Sequence, residues 1–146
     1  MSTVNNRVRK TSLQSLRVLA MLVLALLLIG ACSADGADPG ETVQAYIDGY
    51  NDRDIDAVMA VFATDAVITN HPFALVTEGA AAIRELQIQD IEAAGGDNAY
   101  VVSDLEVSGD SVVWNHTWNN TCVGTGNEAI VESGKIVSWD FASVSC

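Results

Sequence analysis

The stretch YIDGYNDRDIDAVMAVFATDAV (residues 46–67) decides how this chain folds. Tyr46, Ile47 and Tyr50, with Val43 before them, recur at steps of three and four residues, so they share one helix face. That helix opens at Pro39-Gly40-Glu41. Asp38 is placed to cap it, and Pro39 sits in the first turn, where its missing N–H costs nothing. Asn51-Asp52-Arg53 breaks the run. Asp54 then caps a second short helix, whose apolar stripe is Ile55, Val58, Met59 and Phe62. Thr64-Asp65 reads as a turn into a short strand, Ala66–Thr69.

Working outward, Asn70-His71-Pro72-Phe73 reads as a loop, because a proline disfavours helix at the residue before it. A third helix is predicted over Ala80–Ala94, anchored by Ile83, Leu86 and Ile91 and stopped by Gly95-Gly96. From Tyr100 the period changes. Tyr100–Ser108, Ser111–Asn119, Thr121–Val131 and Lys135–Val144 are strand-like runs, and Gly109-Asp110 and Ser133-Gly134 separate two of the pairs as hairpin turns. Helices first and an antiparallel meander second is the α+β arrangement. Four strands and Ala66–Thr69 would wrap around the third helix, leaving a cone with one open end.

Upstream the chain is a different kind of sequence. The 146 residues carry a net charge of −12 and a mean hydropathy of +0.24. Residues 1–31 hold Arg7, Arg9, Lys10 and Arg17 and no acid; the remainder sets three basic residues against all 19 acids, a net charge of −16. A basic start, an apolar run of 14 residues over Val18–Ala31 and small residues before a cut describe a secretory signal. A spanning helix needs about 20 apolar residues. Gly30-Ala31-Cys32 resembles the lipobox of bacterial lipoproteins, in which the peptidase cuts before a cysteine that carries diacylglycerol. Cys32 is therefore the expected lipidation site, and the domain is expected outside the cytoplasm, anchored to the cell membrane. The alternative is an ordinary signal peptide with a bystander cysteine. Residues 32–40 read as a flexible tether and residues 41–146 as one domain. The acidity of that domain excludes nucleic acid as a partner. Asp48, Asp52, Asp54 and Asp56 form a solvated acidic face without the spacing of a calcium loop.

Residues 46–67, with Gly79-Ala-Ala-Ala-Ile-Arg-Glu and Glu132-Ser-Gly-Lys-Ile-Val-Ser-Trp, resemble the nuclear transport factor 2-like superfamily, which includes the SnoaL-like polyketide cyclases and the ketosteroid isomerases. The resemblance spans roughly residues 41–141. It implies a cone-shaped α+β fold, three N-terminal helices packed on a curved, mainly antiparallel sheet. It is poor for activity, because the fold hosts enzymes and pure binders alike. The isomerase's first-helix tyrosine falls at Tyr46. Its general-base aspartate falls at His71, beside Asn70, and its second oxyanion donor falls approximately at Asn127. With two of three roles changed, steroid isomerisation is not supported. His71 would still be able to take a proton, and Asn127 to donate a hydrogen bond. The set His71, His116, Tyr46 and Tyr50 also superficially resembles the water-binding set of scytalone dehydratase, with Asp48 off the tyrosine face.

Ser111–Asn119 alternates strongly: Val112, Trp114, His116 and Trp118 point one way, Val113, Asn115, Thr117 and Asn119 the other. On the concave side, His116 between Trp114 and Trp118 makes a wall for a ligand. The alternative is a core face with a hydrogen-bonded histidine. His71, His116 and Tyr46 are thus the candidate catalytic residues, and Tyr50, Trp114, Trp118 and Asn127 the candidate ligand-binding ones. The partner is expected to be a small apolar or mixed-polarity molecule. No cofactor is expected, and two histidines without spaced cysteines or glutamates give no metal pattern. Whether the domain binds, catalyses as an isomerase, dehydratase or cyclase, or pairs as a homodimer through Asn115, Thr117 and Asn119 stays open at this level. Because the leader reads as bacterial, the sequons at Asn115 and Asn119 are expected to be accidental.

With Cys32 assigned to the anchor, Cys122 and Cys146 form an even pair in an exported chain. Counting back from the turn at Ser133-Gly134, they fall one residue from directly opposite. A bulge at Gly124 or Gly126 would absorb the difference and allow a disulfide, with Cα atoms about 4.4–6.8 Å apart.

Overall fold

The structure is a computed structural model and describes residues 36–94 and 100–146. The signal segment 1–31, Cys32 and the helix stop at Gly95-Gly96 lie outside the described residues. Helix α1 (Pro39–Asn51) begins as its cap dictates: the Asp38 carboxylate accepts from the backbone N–H groups of Gly40 (2.8 Å) and Glu41 (3.3 Å), donors that a first turn otherwise leaves unpaired. Val43, Tyr46, Ile47 and Tyr50 are all buried. Helix α2 (Ile55–Ala60) starts the same way, with Asp54 accepting from Asp56 and Ala57, each at 3.0 Å. The segment between them is more than a break. Asn51 bonds both the carbonyl and the N–H of Tyr100 (2.9 and 3.0 Å), and Arg53 donates to the carbonyl of Ala94 (2.7 Å).

Phe62 does not close the α2 stripe. It opens strand β1 (Phe62–Asn70), and Thr64-Asp65 lies inside that strand instead of forming a turn. The pairing register slips between Phe62 and Val67, so the irregularity that suggested a turn is absorbed as a bulge. His71–Phe73 forms one 3-10 turn, and Ala74 takes a left-handed conformation (φ 51°). The chain then returns as β2 (Leu75–Glu78), an edge strand that the loop reading of this region missed. Helix α3 (Ala80–Ala93) follows. The sheet continues with β3 (Tyr100–Ser108), β4 (Ser111–Trp118), β5 (Cys122–Glu132), β6 (Lys135–Phe141) and β7 (Ser143–Ser145); the last two divide a run that reads as one strand. The order is β2-β1-β6-β5-β4-β3, with β7 also on β5, and every pair is antiparallel except β1–β6.

Three further bulges curve this sheet, and each shifts the inward phase of its strand by one residue. On β3 the inward residues run Tyr100, Val102, Leu105, with the slip at Asp104 (φ 54°). On β5, Gly124 and Asn127 both point inward, with the slip at Gly126 (φ 67°). On β6, Ile136 and Trp139 are both buried, with Val137 the extra residue. Asn115 ties two of these together: its amide donates to Asp104 (3.0 Å), and its carbonyl accepts from the N–H of Gly126 (3.1 Å). Bulges on both neighbours of β4 at one level bend the sheet into a cone.

The Cys122–Cys146 disulfide forms, with its Cα atoms 4.0 Å apart, slightly closer than the expected range. The register correction comes from Val137 on β6, which brings Val123 opposite Ser145 on β7. The bulge at Gly126 is directed at β4 instead. The tether reading overshoots as well. Helix α1 starts at Pro39, and a Cβ on Gly36 would lie 2.7 Å from the Ser133 carbonyl carbon, so Gly36 is packed on the β5–β6 turn. Among the described residues no helix is long and apolar enough to cross a membrane.

Candidate functional site

The inward faces of α1 and α3 and the concave side of the sheet enclose a cavity of about 360 Å³, within the size range of small-molecule sites (roughly 300–1,000 Å³). Tyr46 and Tyr50 line it from α1, and Gln87 and Asp90 from α3. Asn70, Tyr100, His116 and Trp118 line it from the sheet, and the Cys122–Cys146 disulfide closes one side. Of the sequence candidates, Tyr46, Tyr50, His116 and Trp118 therefore meet in one place. Trp114 does not: it is 1% exposed, belongs to the core, and donates its indole N–H to the Tyr100 hydroxyl (3.1 Å). The β4 alternation was read correctly, but the core lies under Trp114 and the cavity begins one inward residue further along. His71 stays on the surface, 3.4 Å from Asp140, and does not line the cavity. The 3-10 turn carries it past the end of β1, so the side chain that does reach the cavity is its neighbour Asn70.

Asn127 is buried behind His116 instead of in the wall. Its amide nitrogen lies 3.1 Å from the Trp114 carbonyl and 3.0 Å from His116 Nδ1. A carbonyl can only accept, so the NH₂ group must face Trp114, and its second hydrogen goes to His116. His116 Nδ1 is then an acceptor, and the proton sits on Nε2, which has no protein partner among the described residues. The ring stacks on Tyr100 (centroids 4.4 Å, 14°). Burial pushes its pKa down to about 4, so it is a neutral hydrogen-bond donor at neutral pH. Room for the ring comes from Gly124 across the ladder, where a Cβ would lie 2.1 Å from His116 Cε1.

The tyrosines are already engaged. Tyr46 donates to Gln87 Oε1 (3.0 Å), and burial first, then neighbouring Tyr100, holds its pKa well above the ordinary value. Tyr50 accepts from the Trp118 indole (2.8 Å) and donates to the Asp90 carbonyl (3.1 Å), and burial raises it to about 12. Both act as phenols throughout the physiological range.

Sequence reasoning missed Gln87, Asp90 and Asn70. Gln87 lies four residues from both Ile83 and Ile91, and Asp90 four from Leu86, on the inward side of α3, so polar residues at helical spacing from an apolar stripe were the available signal. Burial lifts the Asp90 carboxyl to about 6.

Asp90 and His116 push acid stability in opposite directions. Unfolded His116 takes up its proton near pH 6.5, whereas the folded residue resists until about pH 4, so its contribution is lost as pH falls across that window. Asp90 binds its proton more tightly folded, so ionising it costs stability above pH 6, and that cost disappears as pH falls towards 3.8. Asp90→Asn should therefore stabilise the domain by about 1–2 kcal/mol at neutral pH, after allowance for partial solvent screening. It should also steepen the loss of stability between pH 6 and 4 by unmasking His116. Urea titrations across that range check both; an unchanged slope refutes the opposition.

The model of the SnoaL-like domain family matches residues 43–144. No curated protein matches the chain. An NTF2-like protein from Cytophaga hutchinsonii is similar in fold (TM-score 0.57, 14% identity, covering 72% of this chain and 88% of that one). So is a protein with a ketosteroid isomerase-like fold from Catenulispora acidiphila, in complex with trimethylamine (0.53, 16%, 70% and 85%). TerC, co-crystallised with polyporic acid, is a third (0.55, 17%, 72% and 92%). With its cone, its three helices on a curved sheet and a family match across nearly all of the folded part, this chain belongs to the SnoaL-like domain family.

Proposed function

We propose that this chain is a small-molecule-binding domain, exported and held at the cell membrane by lipid on Cys32. The observation that carries the binding reading is the cavity itself. It has about 360 Å³ of space, aromatic walls and a few fixed polar groups at Asn70, Gln87, Asp90 and His116. One protein of similar fold is in complex with trimethylamine and another is co-crystallised with polyporic acid, which supports a small-molecule ligand here. The basic leader and Gly30-Ala31-Cys32 support the anchor. Acid–base catalysis through His71 or His116 with Tyr46 is the weaker reading. His71 is outside the cavity, His116 is a poor base, and Tyr46 spends its proton on Gln87.

Native mass spectrometry of the protein purified from its host should show a retained molecule released on unfolding. His116→Ala should weaken that binding about tenfold or more, because a buried hydrogen bond and a wall of the cavity are lost. His71→Ala should leave it unchanged. A cavity that retains nothing, or a ligand indifferent to His116, would sink the reading. Globomycin-sensitive processing and a diacylglycerol mass on Cys32 test the anchor.

A further inference from the structure

The charge pattern of the cavity is one-sided. Among the described residues, Asp90 is the one acidic side chain in the lining, and the lining contains no lysine or arginine. The described cations are all occupied elsewhere: Arg53 on the Ala94 carbonyl, Arg84 on Asp56, and Lys135 on the Ala60 carbonyl. No hydrogen bond within the protein satisfies the Asp90 carboxylate among the described residues. Asn70 adds a second acceptor, since its Oδ1 is buried without a partner. Around these acceptors stand Tyr46, Tyr50, Tyr100, Trp118 and Phe141. Aromatic rings attract cations through their negative faces, and do so most strongly where water is excluded. Residues 32–146, with three cations against 19 acids, draw cations and repel anions.

We infer that the ligand is a small protonated amine with an apolar body, its ammonium group paired with Asp90 and its body packed against the aromatic wall. This rests on the small-molecule reading above and names the chemical class of that ligand. An anion would face Asp90 without a counter-ion. A neutral molecule would leave the half-buried carboxylate without a counter-charge, a cost that a bound ammonium removes. Binding needs no covalent step.

The test is a head-group series on one body: phenethylammonium, 2-phenylethanol and phenylacetate, titrated by calorimetry into the full-length protein. The ammonium should bind at least about tenfold more tightly than the alcohol, and phenylacetate more weakly still. Asp90→Asn should abolish the preference by bringing ammonium affinity down to that of the alcohol, the reading expected if the carboxylate acts through charge. Equal affinity for ammonium and alcohol, or a preference that survives in Asp90→Asn, overturns the inference. If the alcohol or phenylacetate binds and the ammonium does not, the amine class falls while the small-molecule reading stands. If none of the three binds and the host-purified protein carries nothing, both fall.

Discussion

Gly124→Ala should cost about 2–4 kcal/mol of stability, although glycine to alanine in a strand is ordinarily favourable. The new Cβ would sit 2.1 Å from His116 Cε1, 2.6 Å from Nδ1 and 2.7 Å from Nε2, contacts that no relaxation of a tenth or two can relieve. The ring must leave its place. It then gives up the stack on Tyr100 and the bond from Asn127, and Asn127, whose Oδ1 already lacks a partner, loses a second interaction. The cavity loses the His116 Nε2–H donor at the same time. A mutant cycle isolates the cause: in a His116→Ala background the same substitution should be nearly neutral, a coupling of about 2 kcal/mol or more. Thermal melts of the four proteins decide it, and additive costs would show that the ring is not what Gly124 accommodates.

Replacing Cys122 and Cys146 together by serine should cost about 3.5 kcal/mol, the loop-closure value for a separation of 24 residues. The loss should be local in structure as well as global in energy. β7 has only three residues paired to β5, from Val123↔Ser145 to Thr125↔Ser143, and ends at the cysteine. Freed from the bond, it has too few ladder contacts to hold by itself. Because both cysteines and Val144 line the cavity, the wall should loosen and ligand affinity fall with it. Hydrogen exchange should show the amides of Val123 and Ser145 losing protection while those of β3 and β4 keep theirs. Protection of β7 that survives the double substitution would count against this role for the bond.

How much of this was legible in the sequence depends on whether the deciding force is local. The caps at Asp38 and Asp54, the stripe from Val43 to Tyr50 and the alternation of β4 arise within a few residues, and their readings survive in the structure. Phe62 and Thr64-Asp65 were misread because a bulge against β6 holds them in a strand, and β6 lies some 70 residues further along the chain. The cysteine pair was found by counting, but the residue that corrects the register, Val137, carries no mark of its own. His71 was placed by analogy at a site that the 3-10 turn carries it past, and Asn70 takes the position on the cavity wall.

By itself the sequence determined the class of fold, since alternating periods, caps and turn residues act at short range and agree with one another. It also determined the acidity of the folded part and the basic, apolar character of the leader. Tertiary structure alone decided what the cavity contains. Which side chains share a space depends on bulges that shift the phase of whole strands, on α3 turning Gln87 and Asp90 towards the sheet, and on a missing Cβ at Gly124 that makes room for His116. Those are relations between different strands and helices, and the periodicity within any one segment does not show them.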